Sequence, residues 1–330
     1  MNDHPAECSS TQGFAYASIF ATWAVGDQVF IGIMGGEAEN PRFSMAHVCK
    51  LVPVRVTAFY MICVLWITLL VPSNDPRLLG GSGIAASPFV IAIQEANIPV
   101  VPHILNAGII CGILAIATEA VYISSRMLRT MSHQRLIPKW FAKVDNKGRP
   151  MRSLIVTAVF ATMCTYINLS AEGQVGLTWL VQITAASYFV NWIIISFTSW
   201  RFRNALRAQN DPLFTELYAW RMTHYPIPPG WLMTMCGLLL VSAFALGIRP
   251  PGSALADFSA YNFFQYTLGV WMIVGLTAAY KVICRTKFRK LEEVDLRSGR
   301  RVLSESDLKE LNDYYSLPPW RRFMTYLQMW

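Results

Sequence analysis

Seven apolar stretches, each 16 to 25 residues long and almost free of charge, set the first limit on this chain: 14–36, 56–71, 101–125, 154–169, 177–199, 231–248 and 264–280. Runs of this length suit α-helices crossing the roughly 30 Å hydrocarbon core of a bilayer, and they are too long and too continuous for barrel strands. The two 16-residue runs sit at the short limit, where Arg55 and Asn168 are placed to reach outward from the ends. Composition agrees: 54% of residues are hydrophobic, 15% are charged, and the mean hydropathy is +0.35. The chain therefore reads as an all-α integral membrane protein with about seven transmembrane helices. No basic region precedes Phe14, so residues 1–13 do not read as a secretory signal. The seven cysteines lack CxxC spacing and suit small core positions better than disulfides or metal.

Orientation follows from the 28 Lys and Arg residues. Three lie between the first and second runs, eight between the third and fourth, four between the fifth and sixth, and eleven after the last. The alternate connections hold only Arg77 and Arg249, and residues 1–13 hold none. Basic residues favour the cytoplasmic side, so the N-terminus is expected outside and the C-terminus in the cytoplasm. The net charge of +8 is thus a topology signal, and nucleic acid is not an expected partner.

Within the first run, Gly26-Asp27-Gln28 interrupts the apolar sequence near mid-span. A carboxylate and an amide are costly at membrane depth, and unwound backbone persists there only when buried in protein or lining a cavity. The segment reads as a broken helix facing a small-molecule site, with an intact helix whose Asp27 is neutralised by a neighbour as the alternative. The third run carries a second acid, Glu119, seven residues before Arg126 and so roughly 10 Å along a helix from it. Asp27 and Glu119 are the candidates for proton coupling, Glu119 having the competing reading of an interfacial acid paired or solvated. Gln182, Thr184, Ser187 and Asn191 recur along the fifth run and suit either a water-lined path or interhelical hydrogen bonds.

Outside the runs, residues 87–96 suit a short interfacial helix, and Asn168-Leu169-Ser170 is a sequon too near a span to expect modification. Basic residues 285–290 suit contact with anionic lipid. Ser304-Glu305-Ser306-Asp307 has the form of a capping box opening a helix over 305–314, and the aromatic, basic stretch from 318 to the end suits a membrane surface.

Several short motifs follow one another in order. Gly36-Glu37-Ala38-Glu39-Asn40-Pro41-Arg42 is followed by Arg55 with Phe59-Tyr60, the 71–93 loop VPSNDPRLLGGSGIAASPFVIAI, Asn106, and Tyr122-Ile123-Ser124-Ser125-Arg126. Then come Pro138, Gly148-Arg149-Pro150 and Trp200-Arg201-Phe202-Arg203. This ordered set resembles the fungal amino-acid permeases of the amino acid–polyamine–organocation superfamily, and the long loop most resembles the branch that includes dicarboxylic amino-acid permeases.

The resemblance implies a leucine-transporter-type fold, in which two inverted five-helix repeats hold substrate between the broken first helices of each repeat, and two further helices follow. On that alignment the chain holds helices six to twelve, that is, the second repeat plus the two C-terminal helices. It is expected to be N-terminally truncated relative to the family and inactive alone. The domain plan is an extracellular tail over 1–13, a transmembrane permease domain over 14–284 and a cytoplasmic tail over 285–330. Substrate-binding residues carried over from the sixth helix are Val25, Gly26, Asp27 and Gln28. The family's glycine falls on Asp27 and its glutamate on Val29, so the break is retained while the substrate chemistry differs. The expected partners are an amino acid, protons, the lipid bilayer and a separate chain carrying the missing five helices. The expected location is the plasma membrane, and no cofactor or metal is implied.

Competing classes are weighed by what they require. A seven-helix receptor would share the topology, yet Lys281 lies at the end of the last run and no Asp-Arg-Tyr or Asn-Pro-x-x-Tyr sequence marks a cytoplasmic end. A membrane enzyme would need a nucleophile–base or metal-ligand spacing, and the five histidines are scattered. A regulatory or structural half-permease remains the alternative to a transporter.

Overall fold

The computed structural model describes residues 11–25, 30–36, 38, 41–80, 87–96, 100–168, 173–216, 218–219, 222, 224–249, 258–300 and 303–328, and among these every regular element is helical. In chain order the α-helices are α1 (Thr11–Val25), α2 (Ile31–Gly35), α3 (Pro41–Leu70), α4 (Pro76–Gly80), α5 (Pro88–Glu95) and α6 (Val101–His133). They continue with α7 (Met151–Asn168), α8 (Gly173–Ala208), α9 (Ile227–Ile248), α10 (Ala260–Cys284), α11 (Glu305–Ser316) and α12 (Pro319–Gln328).

Among the described residues, five segments are long and apolar enough to cross a membrane: His47–Leu70, Val101–His133, Val175–Ala208, Ile227–Ile248 and Ala260–Cys284, with Met151–Tyr166 a shorter sixth. Parts of the first and fourth of the seven expected runs lie outside the described residues; the described helix of the first run is Thr11–Val25, and that of the fourth is α7. The helices also outrun their apolar cores: α3 begins at Pro41, α6 continues to His133, and α8 extends to Ala208. Hydropathy marks only the part suited to lipid, whereas Arg, Lys and Gln continue a helix well in water. Pro53 lies inside α3, where it removes one backbone hydrogen bond next to the apolar segment.

The chain divides into two compact units, one made of Met1–Gly32 with Cys164–Asn312 and the other of Ile33–Met163 with Asp313–Trp330. In the first unit, α8 packs against α1, α9 and α10. Its core is Ile19 from α1, Ala185 and Phe189 from α8, Ala243 and Leu246 from α9, and Tyr266 from α10. Small residues permit the close crossings. A Cβ at Gly269 of α10 would meet the Ile183 carbonyl oxygen of α8 and lie 2.8 Å from Ser187 Oγ, and one at Gly247 would lie 3.3 Å from the Phe263 backbone. Because backbone blocks the first site, rotamer changes cannot relieve it. Gly269→Leu is expected to cost at least about 1–3 kcal/mol through forced separation of α8 and α10. A detergent-solubilised variant with an unshifted melting temperature would contradict this crossing.

The far end of α8 fastens the segment after α10. Gln209 Nε2 donates to the carbonyls of Leu291 (2.9 Å) and Val294 (2.8 Å), while Ala205 and Leu206 bury against Leu296. Arg201 lies over the Phe288 ring at 3.7 Å and donates to the Arg289 carbonyl. The basic side chains of 285–290, expected to meet anionic lipid, are exposed, and the Arg289 backbone holds α8. Asp295 closes the turn that follows. The Ser298 hydroxyl, then the N–H groups of Ser298 and Arg297, bond its carboxylate and hold it down at about 2, below its ordinary value of 3.8.

In the second unit, the loop after α3 is clamped by charge. Asp75, almost fully buried, accepts from the Arg77 guanidinium (2.6 Å) and the Arg77 N–H (2.8 Å), and Arg77 also pairs with Glu95 at the end of α5. The Arg77 hydrogen bonds hold the Asp75 carboxyl below the usual carboxylate range. The helix α5 falls where residues 87–96 suggested one.

The basic loop between α6 and α7 is pinned by two buried serines, with Ser132 Oγ donating to the Pro138 carbonyl (2.8 Å) and Ser153 Oγ to the Phe141 carbonyl (3.0 Å). Between them the Asp145 carboxylate accepts from the N–H groups of Lys147 and Arg149. Gly148 has φ +74°, a left-handed conformation that glycine adopts without steric cost. Also in this unit, His47 of α3 is buried and its Nε2 lies 3.0 Å from the Tyr314 hydroxyl, with the rings edge to face.

The capping box forms at α11. Ser304 Oγ accepts from the Asp307 N–H (3.1 Å) and Asp307 accepts from the Ser304 N–H (3.2 Å), and the helix runs from Glu305 to Ser316.

Candidate functional site

The expected substrate residues begin at the C-terminal end of α1. Ile19, 2% exposed, anchors α1 in the first unit's core, and Val25, the last residue of the helix, lies six residues further, roughly 9 Å along its axis. Gly26, Asp27 and Gln28 lie outside the described residues, so the expected break and the surroundings of Asp27 are not placed. What is placed is the frame: α1 ends at Val25, and α2 begins at Ile31.

In the same unit, α8 contributes a buried polar side chain, Gln182, 2% exposed. The four polar residues noted along this helix do not share one environment. Gln182 is buried, Ser187 sits at the α10 crossing, and Asn191 is exposed. Thr184 and Ser187 each donate to the carbonyl four residues back (2.7 Å). Those two hydroxyls are satisfied within their own helix. On α10, Thr267 is fully buried and likewise donates to its own helix, at the Phe263 carbonyl (2.7 Å).

In the second unit, Glu119 lies on α6 and is exposed. Tyr122 and Arg126 follow at three and seven residues, which puts them on the same helix face. The Arg126 guanidinium stacks over the Tyr122 ring at 4.0 Å, and among the described residues Glu119 forms no ion pair. None of the 18-residue apolar window of α3 or of α6 is buried, against 33% for α8. At membrane depth the Glu119 carboxylate would need a polar cover, whereas at the interface water solvates it. Of the two acids singled out in the sequence, Glu119 is described and Asp27 lies outside the described residues.

Sequence reasoning missed several polar atoms. Asn106 Oδ1 on α6, and the hydroxyls of Ser196 and Tyr225 in the first unit, are buried without a hydrogen-bond partner among the described residues. Asn106 stands out in the sequence only as part of the motif series; the other two carry no local signal, since orphaning depends on what packs around them. No three or more His, Cys, Asp or Glu side chains gather to hold a metal ion among the described residues.

Comparison with known proteins places this arrangement. A profile of the amino acid permease family matches residues 2–293. The amino-acid permease GAP3 of Candida albicans is 35% identical over 296 residues, covering 88% of this chain and 48% of that protein. The general amino acid permease AGP1 of Saccharomyces cerevisiae is 30% identical over 329 residues, 96% of this chain and 50% of its own length. The high-affinity glutamine permease of the same yeast is 30% identical over 324 residues, with 96% and 48% covered. The chain thus spans about half the length of the curated relatives it matches. No solved structure matches.

Proposed function

The chain belongs to the amino acid permease family, and from that premise we propose that it forms the second-repeat half of a proton-coupled amino-acid importer of the plasma membrane. The chain is an integral membrane protein, as its family and its apolar helices require. The observation that carries the proposal is the match over residues 2–293 to a family whose relatives here are all named as amino-acid permeases.

In this reading the domain plan is a tail over 1–13 outside the membrane, a permease domain over 14–284, and a cytoplasmic tail over 285–330. The substrate meets Val25, Gly26, Asp27 and Gln28 at the interruption of the first run, where unwound backbone offers carbonyls to an amino group. Asp27 is the coupling acid, and Glu119 on α6 is a second candidate.

The bare apolar faces of α3 and α6 support a further element, a five-helix repeat outside these 330 residues that completes the site. Alternating access needs one bundle to rock against another around a two-sided site. The test is to express the chain together with the first five helices of a fungal permease and follow labelled amino-acid uptake. Uptake that rises as the outside is acidified is expected; uptake indifferent to the proton gradient would contradict the coupling.

A further inference from the structure

We propose that a groove between the basic end of α8 and the first turn of α9 binds one anionic glycerophospholipid, its acyl chain in the groove and its phosphate at Arg203 and Arg207. The inference rests on the membrane reading above.

The groove holds about 230 Å³ and is lined by Ser196, Phe197, Trp200, Pro229, Gly230 and Met233. All but the serine are apolar. It is smaller than the roughly 300–1,000 Å³ of pockets that enclose drug-sized molecules, and it suits a single hydrocarbon chain. Phe197, Trp200 and Met233 are exposed along it, so a chain can enter sideways from the bilayer.

One buried hydroxyl lines its inner end and a second lies beside Pro226, toward the arginines. Ser196 is 3% exposed and its Oγ has no hydrogen-bond partner among the described residues, unlike Thr184 and Ser187, which bond their own helix. Tyr225 Oη is orphaned in the same way and precedes Pro226, which also lines the groove. An orphaned buried donor is costly, and a ligand oxygen would relieve it.

The charge lies beyond. The Arg203 guanidinium stands 4.0 Å from the Tyr225 ring centre and that of Arg207 6.0 Å, and neither forms an ion pair among the described residues. Along α8 they follow Ser196 by seven and eleven residues, roughly 10 and 16 Å. The series apolar groove, Tyr225 hydroxyl, guanidinium matches the order of acyl chain, ester carbonyl and phosphate in a glycerophospholipid. A sterol would fill the groove and meet a hydroxyl, but it would leave both arginines without a partner.

Gly230→Leu tests the groove, because a Cβ there meets nothing within 4 Å and the larger side chain enters the open space. Gly237→Leu, seven residues further along α9 and equally unobstructed, is the control. Each chain is reconstituted in phosphatidylcholine vesicles doped with phosphatidylserine and ergosterol, extracted in mild detergent, and examined by native mass spectrometry. The wild type and Gly237→Leu are expected to retain one phosphatidylserine, and Gly230→Leu to lose roughly tenfold in occupancy. Arg203→Gln combined with Arg207→Gln should retain phosphatidylcholine and phosphatidylserine alike. Undiminished retention by Gly230→Leu, equal headgroup retention by the wild type, or a bound sterol would overturn the proposal. Resistance of the chain to alkaline extraction is scored in parallel. A chain that is stripped from the vesicles fails the membrane reading, whereas an integrated chain that retains no lipid fails this inference alone.

Discussion

Asp27→Asn is expected to abolish the pH dependence of amino-acid uptake by the assembled permease while leaving membrane insertion intact. The substitution keeps the size and polarity of the side chain and removes only its ability to take up and release a proton. A carboxylate in mid-span is retained against a cost of several kcal/mol, and coupling to proton movement is the usual reason for such a group. The family's glycine is replaced here by this acid, so the residue adds a charge where unwound backbone is expected. The measurement is initial uptake against external pH for wild type and variant, with surface labelling to normalise the amount inserted. An unchanged pH profile would remove Asp27 from the mechanism and leave Glu119 as the candidate.

Asp211→Ala is expected to release the segment that follows α10. The Asp211 side chain is 3% exposed, accepts from Arg300 (3.0 Å) and from the Leu213 N–H (3.0 Å), and lies 3.6 Å from Arg297. Removing it leaves Arg300 with Glu216 at 3.9 Å and the Leu296 carbonyl at 3.1 Å. Truncation removes the shared acceptor of Arg300, 22% exposed, and Arg297, 82% exposed, together with the cap of the Leu213 N–H. Tryptic cleavage within 285–300 should then accelerate by on the order of tenfold, with Asp211→Asn intermediate because it keeps an acceptor. Unaltered cleavage would mean that Gln209 and the Leu296 cluster hold the segment without the ion pairs.

The same carboxylate gives a pH window. Desolvation pushes the Asp211 carboxyl upward, but the bond from Arg300, the Leu213 N–H and the charges of Arg300 and Arg297 outweigh it and hold the group below its ordinary value of 3.8. A carboxylate lowered on folding stabilises the docked segment above its unfolded value, and that contribution is lost as pH falls through the folded one. The segment is therefore expected to stay docked through neutral and mildly acidic pH and to loosen only in stronger acid.

Local rules made some elements legible in the sequence and left others hidden. Five of the apolar runs coincide with helices long and apolar enough to span, since hydropathy reads the solvent directly, and the capping box at Ser304 gave the start of α11 because it involves four consecutive residues. Helix extents were not legible. Residues 41–55 read as a connection between runs, yet they form the first half of α3, because a mixed sequence with Arg42, Lys50, Pro53 and Arg55 interrupts the apolar pattern. The docking of 285–300 was hidden for a different reason. It depends on Gln209 meeting two carbonyls more than 80 residues away, and neither sequence announces the other. At the candidate site, Val25 and Glu119 are positioned, whereas Gly26, Asp27 and Gln28 rest on the motif series alone. Gln182 was noticed as one polar residue among four, and only packing distinguishes it from Thr184, Ser187 and Asn191.

The central claim is that this chain supplies one side of a two-sided substrate site. The most direct measurement is labelled amino-acid accumulation in proteoliposomes that contain only these 330 residues, under an imposed proton gradient, beside proteoliposomes that also contain a five-helix first repeat. No accumulation by the chain alone, and accumulation when the repeat is supplied, is the predicted result. Concentrative uptake by the chain alone would contradict it.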